Sequence, residues 1–162
     1  MYFFTSDQHF SHNNIISYCK RPFKTIEEHD HEIIKRHNEV VYPNDFVVHG
    51  GDFTLKHGKT FAQSIINQLN GNHIFLRGSH DYWIDKSAHE RWERKIDGQY
   101  IVVDHYAGRV WPRSYYGSWQ LHGHSHGNLP PIGLQYDIGV DNNDFYPVSF
   151  TQLKTIFEDK NK

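Results

Sequence analysis

A chain of 162 residues with a formal net charge of -2 and one cysteine is the size of a single domain and long enough to bury a sizeable core. Near-neutral charge excludes non-specific nucleic-acid binding through a broad basic field. A lone Cys19 excludes an internal disulfide or a cysteine-built zinc cluster, and it suits a reducing, cytoplasmic setting. No apolar run approaches a membrane span and the first residues read as a strand, so no membrane partner is expected. The 14 histidines are scattered along the chain instead of forming a tag, which makes metal binding worth testing.

Tyr2 to Ser6 is short, aromatic and followed by polar residues, as a buried strand would be. Phe10 to Phe23 is expected as a long loop with one helical turn. Thr25-Ile26-Glu27-Glu28 is a capping box, and Ile26, Ile33, Ile34, His37, Val40 and Val41 fall near one face behind it. This predicts a helix over 26–40, ended by Pro43 and Asn44. Asp45 to His49 is the second strand. A second capping box, Thr60-Phe61-Ala62-Gln63, predicts a helix carrying Phe61, Ile65 and Leu69 to a stop at Asn70-Gly71.

His73 to Arg77 is strand three, and the charged residues 85–95 are expected to be helical. Strands follow at 100–103, 119–121 and 136–141, with an irregular loop rich in arginine and aromatics over 108–117. Ser149-Phe150-Thr151-Gln152 caps a last helix to about Phe157, leaving 158–162 as a frayed tail. Alternating strands and helices argue an α/β domain centred on a sheet.

Polar clusters close these strands: Asp7-Gln8-His9, Gly50-Gly51-Asp52, Gly78-Ser79-His80-Asp81, Asp104-His105 and His122 to His126. Such groups collected at strand ends mark the binding edge of an α/β sheet. Carboxylates and imidazoles are shared ligands of zinc, manganese and iron. In extended chain, residues two apart point to one side, so Asp7 with His9, and His124 with His126, can each address one cavity.

In order, Asp7-x-His9, Gly51-Asp52, Gly78-x-His80-Asp81, His105 and Gly123-His124-x-His126 resemble the DxH, GD, GNH[DE], H and GHxH pattern of the calcineurin-like metallophosphoesterase superfamily. The resemblance runs from Ser6 to His126, and Gly139 to Asn142 with Tyr146-Pro147 is similar to the tail of its small bacterial and phage members. It implies one domain over 1–162 with a four-layered α/β/β/α sandwich and two divalent ions about 3.5–4 Å apart. Manganese is expected first, with iron, zinc, nickel and cobalt as alternatives.

Carried over by the resemblance, Asp7, His9 and His126 hold one ion, His105 and His124 the other, and Asp52 bridges them. Ser79 departs from the pattern: it stands where the family has an asparagine that ligates the second ion and contacts phosphate. A serine hydroxyl is shorter and a poorer neutral ligand, so weakened activity is expected. His80 matches the histidine beside the scissile ester, a general acid, and Asp81 would orient it. His12 and Arg77 are candidate substrate contacts.

The implied reaction is hydrolysis of a phosphomonoester or phosphodiester, a nucleotide or nucleic-acid end among the substrates, by hydroxide generated at the ions. A metal- or phosphate-binding module without hydrolysis, and a one-ion site held by Asp7, His9, Asp52 and His126, stay open at this point. Other residues carry plainer expectations. Arg21 is expected to pair at the surface, and His29, His31, His37, His57 and His89 to be solvated or packing. His49, His73 and His122 should make structural hydrogen bonds, and Asp104 and Asp141 should support neighbours or turns. Trp83, Trp111, Tyr115, Tyr116 and Trp119 are expected to pack, and Cys19 to be inert.

Overall fold

Short apolar strands build two four-stranded sheets that face one another. In the computed structural model, which describes residues 1–56 and 58–160, with Lys160 by its backbone, β1 (Tyr2–Thr5), β2 (Phe46–His49) and β3 (Asn72–Phe75) run parallel. The strand β8 (Val148–Ser149) adds antiparallel to the free edge of β1. The second sheet has the order β4 (Arg91–Ile96), β5 (Gln99–Asp104), β6 (Trp119–His122), β7 (Gln135–Asp137), antiparallel at β4–β5 and parallel thereafter.

Two-residue alternation sets which sheet face is buried against what. Phe4 pairs with Val48 in register, and both meet Ile101, Val103 and Leu121 of the second sheet in one buried cluster. Phe3 and Val47 point the other way, towards Val41 at the end of α2 (Ile26–Val40). Helices α2 and α3 (Lys59–Ile66) cover that outer face through Ile33, Ala62 and Ile65, which pack with Phe10 and Phe53. The last helix, α4 (Phe150–Lys160), lies beside β8 and β1 and puts Leu153 and Phe157 into the inter-sheet cluster, where Phe157 stacks on Trp119 of the second sheet at 4.4 Å. This is the α/β/β/α architecture expected; a single turn, α1 (Ile15–Tyr18), interrupts the long loop as read from the sequence.

Local chemistry explains the agreements and the departures. Thr25 caps α2, its hydroxyl accepting from Glu28 N at 3.2 Å. Ser149 and Gln152 form a reciprocal box on α4, which continues past Phe157 to Lys160; residues 161–162 of the expected tail lie outside the described residues, as does His57. Thr60 does not cap α3: the chain enters at Gly58, whose carbonyl takes Phe61 N and Ala62 N. The helix also ends early, at Ile66, because Gln68 N and Leu69 N turn back to Ile65 and Ile66 in tighter bonds.

Residues 91–96 are a strand, not a helix. Asp97-Gly98, with φ of 46° and 85°, is a two-residue hairpin turn, and Trp92 and Ile96 alternate into the inter-sheet core. The strand expected over 136–141 stops at Asp137, whose carboxylate takes Gly139 N and Gly127 N and bends the chain into a 3-10 turn at Val140–Asn142. Tyr115 and Tyr116 do not pack: they are 94% and 89% exposed on a 3-10 turn at Ser114–Tyr116.

Between α2 and the first sheet lies a histidine cluster built for the neutral form. Gln8 Nε2 lies 3.1 Å from His49 Nδ1, His49 Nε2 is 3.0 Å from His73 Nδ1, and His37 Nε2 is 2.8 Å from the Asn70 carbonyl. Burial, then the neighbouring histidines, pushes His49 well below its ordinary range. Burial likewise pushes His37 down to about 4, against the pull of the Asn70 carbonyl. An unfolded His37 takes up a proton below 6.5 while the folded one waits until about 4, so stability is full above 6.5 and falls across that window. Melting temperature in chelator should therefore drop from pH 6.5 towards 4. His37→Gln should shallow the pH dependence of the unfolding free energy by roughly 1.4 kcal/mol per pH unit within that window; an unchanged dependence would place the acid-labile proton elsewhere.

Candidate metal centre

The polar corners lie past the C-terminal ends of β1, β2, β3, β5 and β6, along one edge shared by both sheets. Backbone bonds draw them together: Asp7 N to the Gly51 carbonyl at 3.0 Å, His9 N to the Asp52 carbonyl at 3.0 Å, and Gly123 N to the His105 carbonyl at 3.1 Å. Side chains finish the closure. Asp7 accepts His124 N at 2.9 Å, and Asp52 accepts His80 N at 2.8 Å. Two glycines permit the approach, since a Cβ on Gly78 would lie 2.3 Å from Asp52 N and one on Gly123 2.5 Å from Asp7 Oδ2.

The pairs spaced two apart do not converge through extended chain. Asp7, His9, Asp52, His124 and His126 all hold left-handed φ, between 47° and 67°. Each is a sharp corner in a strand-end loop, and left-handed backbone at residues with side chains costs energy that the surrounding bonds must offset. Five such corners in one site point to a geometry held for function.

Two groups of donors result. Asp7, His9 and His126 each offer an atom within 4.8 Å of the others, and so do Asp52, His105 and His124. Asp52 joins the groups: its Oδ2 lies 3.7 Å from His9 Nε2 and 3.4 Å from His105 Nε2. Both nitrogens are buried and lack a hydrogen-bond partner. His105 Nδ1 is spent on the Gly50 carbonyl at 2.9 Å, which turns Nε2 towards Asp52. Unpartnered imidazole nitrogens converging on one carboxylate are what divalent cations need, so the residues fit two ions. A further group, Cys19 with His126 and Asp141, fits poorly: burial and then Asp141 push the Cys19 thiol up to about 11, keeping it protonated.

Titration directions carry the same message. Burial pushes Asp7 up to about 7, despite the opposing charges of His105 and His126, and burial pushes His9 down to about 2. Burial would raise Asp52, yet facing His105 holds it below the usual carboxylate range. Burial would lower His105 and His126, but Asp52 raises the first and Asp141 the second. Asp7 thus favours its neutral acid beside His105 and His126, which favour their protonated forms, while burial favours neutral His9 and His124.

Arg21 is not a surface residue. It is 4% exposed and gives Nε and Nη2 to Asp141 at 2.8 and 2.7 Å, and Nη2 and Nη1 to the carbonyls of Asp7 and Gln8 at 2.7 and 2.9 Å. Its Nη1 also meets His29 Nε2 at 2.6 Å, while His29 Nδ1 meets Asp30 at 2.8 Å. Asp141 Oδ2 in turn takes His126 Nδ1 at 2.7 Å, leaving His126 Nε2 for a cation. Burial would raise Asp141, but His126 and Arg21 hold it at about 2. Nothing in the spacing of Arg21 signals this role; only the fold brings it 120 residues along the chain to Asp141.

The remaining candidates divide. Asp81 does not reach His80: its oxygens take Asp52 N at 2.6 Å, Phe53 N at 2.9 Å, Gly78 N at 2.9 Å and Trp83 Nε1 at 3.0 Å. A fully buried carboxylate beside three free N–H groups takes those first. His80 lies in the site, its ring centroid 5.3 Å from His9 and 5.8 Å from His12, and with His9 and Asp52 it offers one more group of donors within 4.8 Å of one another. His12 Nδ1 is 3.1 Å from His9 Nδ1. Ser79 Oγ donates to Asp52 Oδ2 at 3.0 Å. Arg77 lines an adjoining cavity with Ser79 and His105. Among the described residues no helix is long and apolar enough to cross a membrane.

No family model matches the chain. It is 32% identical over 161 residues to the uncharacterized protein MJ1445 of Methanocaldococcus jannaschii, covering 94% of this chain and 89% of that protein. Its fold is similar to that of the protein of unknown function AQ665 from Aquifex aeolicus, with a TM-score of 0.74 at 22% identity over 96% of this chain and 98% of that one. A Vps29 D62A variant from Entamoeba histolytica superposes with a TM-score of 0.49 at 18% identity, over 85% and 72% of the two chains.

Two measurements check the centre. Cation binding must strip protons from Asp7, His105 and His126, so affinity for Mn²⁺ should climb as pH rises through about 7, with net proton release in calorimetry. Asp141→Asn should weaken Mn²⁺ binding about 10–100-fold and, by leaving the buried Arg21 guanidinium without its carboxylate, lower the melting temperature in chelator as well; equal Mn²⁺ affinity in both proteins would remove Asp141 from the centre.

Proposed function

We propose that this chain, which belongs to the same family as the uncharacterized protein MJ1445, is a dinuclear metal-dependent phosphoesterase that hydrolyses a phosphomonoester or phosphodiester. One observation carries the reading: Asp52 Oδ2 sits between two buried, unpartnered imidazole nitrogens, 3.7 Å from His9 and 3.4 Å from His105. Asp7, His9, His126 and Asp52 would hold one ion, and Asp52, His105 and His124 the other, with manganese the first candidate. When bound, two divalent ions offset the charge of a phosphoryl group and lower the pKa of water from 15.7 to about 7.

The chain's own residues supply placement and protons. The His80 N–H and the Ser79 hydroxyl fix the Asp52 carboxylate at 2.8 and 3.0 Å. Asp81 pins the Gly78 loop to the Asp52 loop, so His80 is positioned by its backbone instead of by a carboxylate on its ring. Among the described residues the His80 ring has no hydrogen-bond partner, which leaves it to give a proton to the departing ester oxygen. His12, beside His9 and His80, would offer a further contact to the substrate.

Ser79 favours a second reading, a cation- and phosphate-binding module without turnover, because its hydroxyl is committed to Asp52. Hydrolysis of bis-(p-nitrophenyl) phosphate and p-nitrophenyl phosphate with added Mn²⁺ decides. Turnover is expected, and His80→Ala should lower kcat about 10²–10⁴-fold with Mn²⁺ binding retained. Ser79→Asn should tighten the second ion and raise kcat. Full turnover in His80→Ala would sink the general-acid assignment, and none in either Ser79 form would favour the binding module.

A further inference from the structure

A cavity of about 670 Å³ opens beside the second donor group; it shares His105 with that group and is also lined by Ser79, which donates to Asp52. That volume suits a ligand of nucleotide size. A ligand filling it would adjoin Ser79 and His105 at the edge of the centre.

The charges in the cavity are uneven. Arg91 Nε and Nη2 pair with Asp104 at 2.7 and 3.2 Å, and Asp104 also takes Gln120 Nε2 at 2.7 Å. Those groups are satisfied. Arg77 is half-buried and joins none of the ion pairs found among the described residues, and its Nε is buried without a partner. Glu90 is exposed at the same cavity, where it suits a hydroxyl or amine donor. A guanidinium outside any close ion pair presents donors in a fork that matches phosphate oxygens.

Aromatic surface borders this cation. Tyr82 and Tyr106 line the cavity while 55% and 56% exposed. Tyr106 is fixed beside the centre, its ring centroid 4.5 Å from His124 and 4.7 Å from His105. Exposed tyrosine faces are platforms on which nucleobases stack without sequence preference.

We propose that this cavity receives the leaving group of the substrate and that the leaving group is a nucleotide, its base on Tyr82 and Tyr106 and its own phosphate on Arg77. The proposal rests on the phosphoesterase reading and narrows the substrate to a diester within or at the end of an oligonucleotide. Hydrolysis breaks the bond from phosphorus to that nucleotide's oxygen, which departs with a proton, while the hydroxyl from water stays on phosphorus.

The test is calorimetry on the Mn²⁺-loaded protein with the centre saturated by inorganic phosphate, titrating thymidine, thymidine 5′-monophosphate and thymidine 3′-monophosphate. At least one monophosphate should bind about tenfold tighter than thymidine, the change expected of a charge-assisted contact. Arg77→Met should erase that preference and Arg77→Lys should keep part of it, with melting curves confirming that both fold. Equal binding of nucleoside and nucleotides, a preference surviving in Arg77→Met, or nucleotides that merely displace inorganic phosphate would each overturn the proposal. A preference without any hydrolysis of bis-(p-nitrophenyl) phosphate would uphold the nucleotide pocket and overturn the phosphoesterase reading instead.

Discussion

One buried carboxylate, Asp81, ties two strand ends into a single rigid corner. Its oxygens gather the N–H groups of Asp52, Phe53 and Gly78 and the indole of Trp83. Those donors have no water to fall back on, so removing the acceptor would leave several unsatisfied at once. Because the Gly78 loop is pressed on the Asp52 backbone, the His80 N–H and the Ser79 hydroxyl arrive on the Asp52 side chain. The position of Asp52, and hence of both donor groups, descends from this contact.

A second polar network does for the β1 corner what Asp81 does for β2 and β3. Arg21 spends its donors on the carbonyls of Asp7 and Gln8 and on Asp141, which orients His126. A buried guanidinium is costly unless so satisfied. Here its bonds help offset the left-handed backbone at Asp7 and His9. The centre is thus assembled from strained corners clamped by two charged residues, Asp81 and Arg21, that belong to neither donor group.

Polarity is also segregated within the histidines. Those behind the first sheet, His37, His49 and His73, are held neutral by burial and by one another. Those at the edge either face Asp52 or lean on Asp141, and keep one ring nitrogen turned into the site. The same residue type thus serves two structural uses, of which one builds the candidate centre.

The order of residue types along the chain determined a good deal by itself. Short apolar runs with alternating faces, the Thr25 and Ser149 caps, and the polar clusters after each strand were legible because each depends on neighbours a few residues away. The residue types that gather at the candidate centre were legible for the same reason. Non-local facts were not. The strand at 91–96 was hidden by its charge until the hairpin and Trp92 packing were seen, and Asp81 lost its expected partner to backbone donors from another strand. Arg21 looked like surface because nothing nearby in sequence could bury it. The left-handed turns at Asp7, His9, Asp52, His124 and His126 belong to the same class. Such backbone is unfavourable in isolation, and only contacts from distant segments can hold it. Tertiary structure decided where the donors point, because their direction is fixed by bonds that exist only once both sheets have met.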